Sequence, residues 1–323
     1  MNYSRQHELT NIAKIVLEHQ NFTILCHRNP DGDTLGAAFG LCFALRQLGR
    51  RANVLCSDPI PPRYEAIYQD YEPQQMEEDY VIAVDIADTQ LLGEKLASYA
   101  DKIELCLDHH VSNTGYAHIS FVDPASAAVC EFMCFFVEAL GASMTQKIAD
   151  ALYTGLATDT GCFKFANVTP QTHRVAAALL EAGAHHWQIN RRMFDIKSRG
   201  RLMVERYALD NLEFYCEGRI ALLYLPWELV QRSGADDGEL DGISGLTRQA
   251  EGVLCGITIR QQPSGALRVS TRSSEPFDCS RVCQALGGGG HPRAAGCTLS
   301  GPLEQAKAKI LAQAEEELKG CAR

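Results

Sequence analysis

A short apolar run, Phe22 to Cys26, leads directly into His27-Arg28-Asn29-Pro30-Asp31-Gly32-Asp33, and Thr34 to Leu48 then carries a helical pattern. Strand, polar turn and helix in that order form the repeating unit of a parallel sheet, because parallel neighbours need a crossover between them. The strand signal recurs at residues 52–56, 80–85 and 103–108, and the last two runs end on an acid, Asp85 and Asp108. Helical periodicity covers 5–19, 125–140 and 145–158, with Pro124 near the start of the second stretch and Gly141 just past its end. This alternation predicts an α/β chain whose N-terminal part is a doubly wound, mostly parallel sheet.

The pattern then changes. Residues 170–208 read as successive helices, and strands follow at 212–216, 219–225, 253–261 and 266–272. A helix over 278–286, a run of four glycines and a final helix over 303–318 complete the chain. A length of 323 residues leaves room for two cores. The expected division is a domain over 1–185, a helical connection over 186–208 and a smaller α/β domain over 209–323.

The net charge of −10 argues against sequence-blind binding of long duplex nucleic acid. Residues 1–185 carry 23 acidic and 12 basic groups, whereas 186–323 carry 17 and 18. The first part therefore suits holding cations, and the second, with local arginines, suits holding phosphate. No apolar run approaches the roughly 20 residues that span a bilayer, so no membrane partner is expected. Met1 to Gln20 is charged and helical rather than an apolar signal core, which points to the cytoplasm. The thirteen cysteines are odd in number and form no Cys-x-x-Cys pair. They read as small core residues in a reducing compartment, neither disulfides nor a thiolate zinc site.

Acids and histidines gather where predicted elements end: His27, Asp31 and Asp33; Asp85; Asp108, His109 and His110; and Asp159 after a helix. Any one such aspartate is ordinarily a helix cap or turn residue. Together they converge on the carboxyl edge of one sheet, where open α/β folds bind ligands. So many carboxylates in one place repel one another unless cations neutralise them. Oxygen ligands suit hard divalent ions, and manganese or zinc also accepts imidazole.

In order and spacing, His27-x-Asn29-Pro30-Asp31-x-Asp33, Asp85, Asp108-His109-His110 and Asp159 resemble the four motifs of the DHH phosphoesterase superfamily. Gly287-Gly288-Gly289-Gly290-His291-Pro292-Arg293-Ala294-Ala295-Gly296 is similar to that family's DHHA1 substrate-binding domain. The resemblance spans nearly the whole chain, and the size most resembles the compact oligoribonuclease (nanoRNase) and pAp phosphatase group. It implies a two-metal phosphoesterase with Mn2+, or else Mg2+ or Co2+. His27, Asp31 and Asp85 would hold one ion, and Asp33, Asp85, His109 and Asp159 the other. Two such ions clamp a phosphate and acidify a water, whose hydroxide attacks phosphorus in line. Asp108 would orient a ligand histidine, and His110 would contact the substrate phosphate or protonate the leaving oxygen. One departure touches no ligand: Leu91 stands where relatives often have an arginine.

On the C-terminal side, the resemblance assigns substrate binding to Arg272, Ser273, Gly288, Gly289, Gly290, His291 and Arg293. Glycines let backbone N–H groups approach phosphate, and an arginine fork suits a phosphodiester. The implied substrates are short single-stranded RNA or DNA oligonucleotides, pAp or pApA, with a homodimer as one option for assembly. A phosphodiesterase for cyclic di-AMP or pApA, and a nucleotide-binding regulator without catalysis, are the alternatives. Inorganic pyrophosphatases share the N-terminal motifs but lack the Gly-rich histidine element. His185-His186, His118 and His173 show no acid cluster in the sequence around them, and Cys279 and Cys283 share a helical face that reads as core.

Overall fold

Five short strands, β1 (Asn21–Leu25), β2 (Arg51–Leu55), β3 (Tyr80–Val84), β4 (Leu105–Asp108) and β5 (Ile119–Val122), build a parallel sheet in the order β2-β1-β3-β4-β5. Every residue of β3 is buried, as expected of a central strand covered on both faces. The chain steps outward from β1 to β2, then returns to the other side of β1 with β3. That reversal opens a crevice at the carboxyl ends of β1 and β3. These features belong to a computed structural model, which describes residues 3–235 and 237–321.

Seven helices accompany this sheet: α1 (Tyr3–Leu17), α2 (Gly32–Gln47), α3 (Glu65–Tyr68), α4 (Val129–Ala139), α5 (Gln146–Asp159), α6 (Pro170–Glu181) and α7 (His186–Asn190). Helices α2 and α5 pack against each other along their length, and small residues permit it. A Cβ on Gly36 would lie 2.4 Å from the Ala151 carbonyl oxygen, and one on Gly155 would lie 2.9 Å from the Gly32 carbonyl oxygen. Thr34 Oγ1 also donates to the Val84 carbonyl at 3.0 Å, which ties the start of α2 to the end of β3. The C-terminal end of α5, carrying Asp159, is thereby brought against the turn after β1. Phe22, Phe39, Phe121, Phe132 and Phe136 fill the core.

Two expectations shift in this part. The periodicity predicts a helix from 125, but α4 starts at Val129 because residues 123–126 close a turn, with the Ser126 amide on the Asp123 carbonyl. The strand β5 stands where no strand is predicted, and it is only four residues long and partly exposed.

The chain divides into two units, Met1–Ile196 and Lys197–Arg323. The second holds a six-stranded sheet in the order β10-β11-β9-β8-β7-β6, made of β6 (Glu213–Tyr215), β7 (Ile220–Leu225), β8 (Cys255–Gln261), β9 (Leu267–Ser273), β10 (Gly289–His291) and β11 (Ala294–Leu299). The pair β7–β8 is parallel, and its crossover contains α9 (Trp227–Ser233) and α10 (Asp237–Asp241). The unit also contains α8 (Arg199–Asp210), α11 (Cys279–Gln284) and α12 (Leu303–Cys321). Ala306, Ile310, Ala314 and Leu318 recur every four residues and form the buried stripe of α12. The glycine run differs from its expected loop. Gly289 to His291 pairs antiparallel with Ala294 to Gly296, so half of it is an edge strand.

Eight of the thirteen cysteines are buried, consistent with small core residues. Among the described residues, no helix is long and apolar enough to cross a membrane.

Candidate functional site

The turn after β1 places three side chains by separate means. His27 Nδ1 donates to the Arg28 carbonyl at 2.7 Å, leaving Nε2 facing Asp31 Oδ1 at 3.5 Å and Asp85 Oδ2 at 3.6 Å. Asp31 is the N-cap of α2, and its Oδ1 accepts the amides of Asp33 and Thr34. Cap and candidate ligand are thus the same residue. Asp33 points the other way and is fully buried. Its two oxygens accept the amides of Val129 at 2.6 Å and Cys130 at 2.9 Å, at the positive end of α4.

Asp85 follows β3 with a φ of +59°, a left-handed conformation that a residue with a Cβ adopts at some cost. Its carboxylate is buried between His27 and His109, and Oδ1 has no hydrogen-bond partner among the described residues. After β4, His109 Nδ1 donates to the Ser126 carbonyl at 3.2 Å. His109 Nε2 then lies 3.5 Å from Asp159 Oδ2, 3.7 Å from Asp85 Oδ1 and 4.0 Å from Asp33 Oδ2. Two groups converge tightly enough to surround an ion: His27, Asp31 and Asp85; and Asp33, His109 and Asp159. A third, Asp85, His109 and His110, overlaps both sets.

Asp108 holds the neighbouring imidazole. Its Oδ1 accepts His110 Nδ1 at 2.8 Å and the amides of His109 and His110, while Asn113 donates to Oδ2 at 2.6 Å. The histidine whose ring it orients is therefore His110, and the Ser126 carbonyl performs that service for His109.

The charges strain one another. Burial, reinforced by the Asp85 charge, pushes the Asp33 carboxyl up to about 8. Burial and the Asp33 charge do the same to Asp159, also to about 8. Burial alone would lower His27, but hydrogen bonds and charges from Asp31 and Asp85 raise it to about 11. The Asp108 hydrogen bond raises His110 to about 9. Four carboxylates and two imidazoles packed this way, with a buried oxygen left unpartnered, form a donor set that fits divalent cations.

In the second unit, Arg272, Gly288, Gly289 and Gly290 line one open groove of about 570 Å3, together with Arg268 and Ser270. Ser273 and Arg293 stand apart from it. Successive strand residues face opposite sides of a sheet, so Ser270 and not Ser273 shares a face with Arg272. The Ser273 hydroxyl is buried against the carbonyls of Phe277 and Pro292. Arg293 donates to the Phe277 carbonyl and to Glu275. His291 is exposed at the end of β10. Gly288 has no room for a side chain, since a Cβ would meet the Gly296 carbonyl at 2.1 Å.

Four contributors were not among the residues expected from the sequence. Arg268 and Ser270 were legible as the period-two partners of Arg272. Ser126 and Asn113 carry no comparable signal, because they act from turns. His185 does have an acid partner, Asp150, at 2.9 Å, brought from 35 residues away.

The sequence pattern of the DHH family, N-terminal domain, matches residues 21–156, and that of the DHHA1 domain matches residues 218–320. The chain is 34% identical over 301 residues to the bifunctional oligoribonuclease and PAP phosphatase NrnA of Thermus thermophilus, covering 91% of this chain and 89% of that one. An exopolyphosphatase-related protein from Bacteroides fragilis shares the fold, with a TM-score of 0.88, 21% identity and 98% of each chain covered. The exonuclease RecJ bound to manganese shares it more distantly, with a TM-score of 0.58, 15% identity and 98% and 95% covered. With both domains in order and a relative of this similarity over nine-tenths of its length, the chain belongs to the DHH family of phosphoesterases, in the form that carries a DHHA1 domain.

Proposed function

We propose that this enzyme hydrolyses short oligoribonucleotides and removes the 3′-phosphate of pAp, using two manganese ions. The observation that carries the reading is the position of Asp85. Its buried carboxylate lies between the groups His27–Asp31 and Asp33–His109–Asp159, with an oxygen that no protein donor satisfies. His27, Asp31 and Asp85 would hold one ion, and Asp33, Asp85, His109 and Asp159 the other, with Asp85 shared. Bound there, divalent ions supply positive charge to a phosphate and make a water more acidic.

The protein's own groups do the rest. The Ser126 and Arg28 carbonyls fix the tautomers of His109 and His27, so that each Nε2 presents a lone pair. Asp108 keeps the His110 ring protonated near neutral pH, which suits donation from Nε2 to a phosphate oxygen or to the departing oxygen. Arg272, Arg268 and the Gly288–Gly290 backbone form a cationic groove suited to a substrate phosphate. A chain of net charge −10 favours short single strands over long duplexes. Thirteen free thiols suit the cytoplasm.

The test is turnover of 5′-labelled di- and trinucleotides of RNA, pAp and pApA with manganese present. Release of mononucleotides and of AMP is expected. Tight binding of these compounds with no product from any of them would sink the reading.

A further inference from the structure

Beside the candidate metal residues lies a second concavity. A cavity of about 260 Å3 is lined by Asp31 and Asp159 together with Arg63, Tyr64, Met193 and Phe194. It adjoins another of about 300 Å3 that shares Arg63, Tyr64 and Met193. Arg63 is exposed, and its guanidinium carbon sits 4.9 Å from the centre of the buried Tyr64 ring. Among the described residues, no carboxylate is ion-paired with it. Tyr64 thus offers the exposed guanidinium a ring face at the rim. Phe194 is half-buried and stands in a π-helical turn, Arg191–Asp195, a conformation often found at functional sites.

A planar cation and an aromatic ring around a cavity of this size suit one chemistry above others. A second phosphate could use Arg63, but it would leave Phe194 and Met193 against a hydrated anion. An uncharged heteroaromatic ring suits that apolar lining and can stack on both Arg63 and Phe194. We infer that this cavity is a nucleobase subsite, in which Arg63 and Phe194 clamp the base of the nucleotide flanking the phosphate being hydrolysed.

The inference rests on the phosphoesterase reading of the adjoining acids. It adds a specificity element on the N-terminal unit, independent of the arginine groove on the second unit. It implies that the enzyme distinguishes a dinucleotide from one lacking the base at one of its two positions, with little preference among the bases, since stacking is sequence-tolerant.

The experiment compares kcat/KM for a dinucleotide and for its two abasic analogues, in the wild type and in Phe194→Ala, Arg63→Ala and Phe194→Tyr. For one abasic position, the wild-type ratio of full to abasic substrate should be roughly tenfold or more, arising in KM, and should collapse toward one in the two alanine variants. Phe194→Tyr should restore it. An equal loss on full and abasic substrates, or no wild-type discrimination at either position, would overturn the inference. Binding of a 2-aminopurine nucleotide provides a second readout, because stacking quenches its fluorescence. Quenching by the wild type that is lost in Phe194→Ala supports the subsite, and absence of quenching by the wild type overturns it. If the wild type hydrolyses no substrate, the phosphoesterase reading fails, and the quenching result alone then judges the cavity.

Discussion

His27 Nε2 stands 3.6 Å from Asp85 Oδ2, while the other oxygen of that carboxylate has no hydrogen-bond partner among the described residues. The left-handed backbone at Asp85 aims it between two sets of candidate ligands. Asparagine tolerates that conformation, so Asp85→Asn should fold. Manganese-dependent turnover should fall on the order of 10³-fold, since both ions lose a shared ligand. The metal-free variant should be more stable than the wild type by about 1 kcal/mol, because one buried charge is gone. Metal analysis and urea denaturation check the two halves separately, and retained binding of both ions would remove Asp85 from its bridging role.

Stability of the metal-free protein should fall as pH rises. Asp33 and Asp159 are raised to about 8, so between the ordinary carboxylate range and pH 8 the folded state holds more protons than the unfolded state. Deprotonation across that window therefore weakens the fold. His27, raised to about 11, acts in the same direction: its contribution is full below its ordinary value and fades as pH climbs toward 11. Manganese should flatten the profile and bind more tightly as pH increases, because loading displaces these protons. Urea midpoints at pH 5.5 and 8, with and without manganese, test this. A metal-free midpoint that climbs over that interval would contradict it.

Replacing Asp108 by Asn removes the partner that raises His110 to about 9. The imidazole should then titrate closer to its ordinary value, followed directly by NMR. The alkaline limb of the kcat profile should move down with it, and kcat at pH 8 should drop roughly 10- to 100-fold. An unmoved alkaline limb would assign that limb to another group.

Neighbours on β9 should behave differently. Arg272 lines the groove, so Arg272→Ala should raise KM roughly tenfold while changing kcat little. The Ser273 hydroxyl is turned inward against backbone carbonyls. Ser273→Ala should cost about 1 kcal/mol of stability and leave KM nearly unchanged. Steady-state kinetics on a dinucleotide, paired with thermal unfolding, separates the two. A larger KM effect at Ser273 than at Arg272 would reverse the assignment of faces.

How much of this could be read from the chain follows from where each signal resides. His27, Asp31, Asp33, Asp85, His109 and Asp159 were legible because a parallel sheet gathers strand ends at one edge, and these residues lie at or near such ends or close a flanking helix. The left-handed turn at Asp85 was not, since nothing in Val-Asp-Ile demands it. The edge strand β10 was hidden because glycine has low strand preference, and its pairing with β11 shows only once the chain folds back. Arg63 and Phe194 stand 131 positions apart, and each is ordinary in its own segment. Only the packing of α3 and α7 against α5 gives them a common neighbourhood. Ser273 is the reverse case: the resemblance pairs it with Arg272, and the pleat of the strand turns the two side chains to opposite faces.

The length of the Asp31 side chain is set twice over. One oxygen caps α2 through two amides, and the same short side chain must also present charge beside His27. Asparagine could cap the helix without contributing a negative charge, and glutamate could supply the charge while overshooting the amides. Asparagine therefore separates the architecture of this turn from its chemistry, and a chain that drifts away from the reaction can lose the charge without rebuilding the beginning of α2.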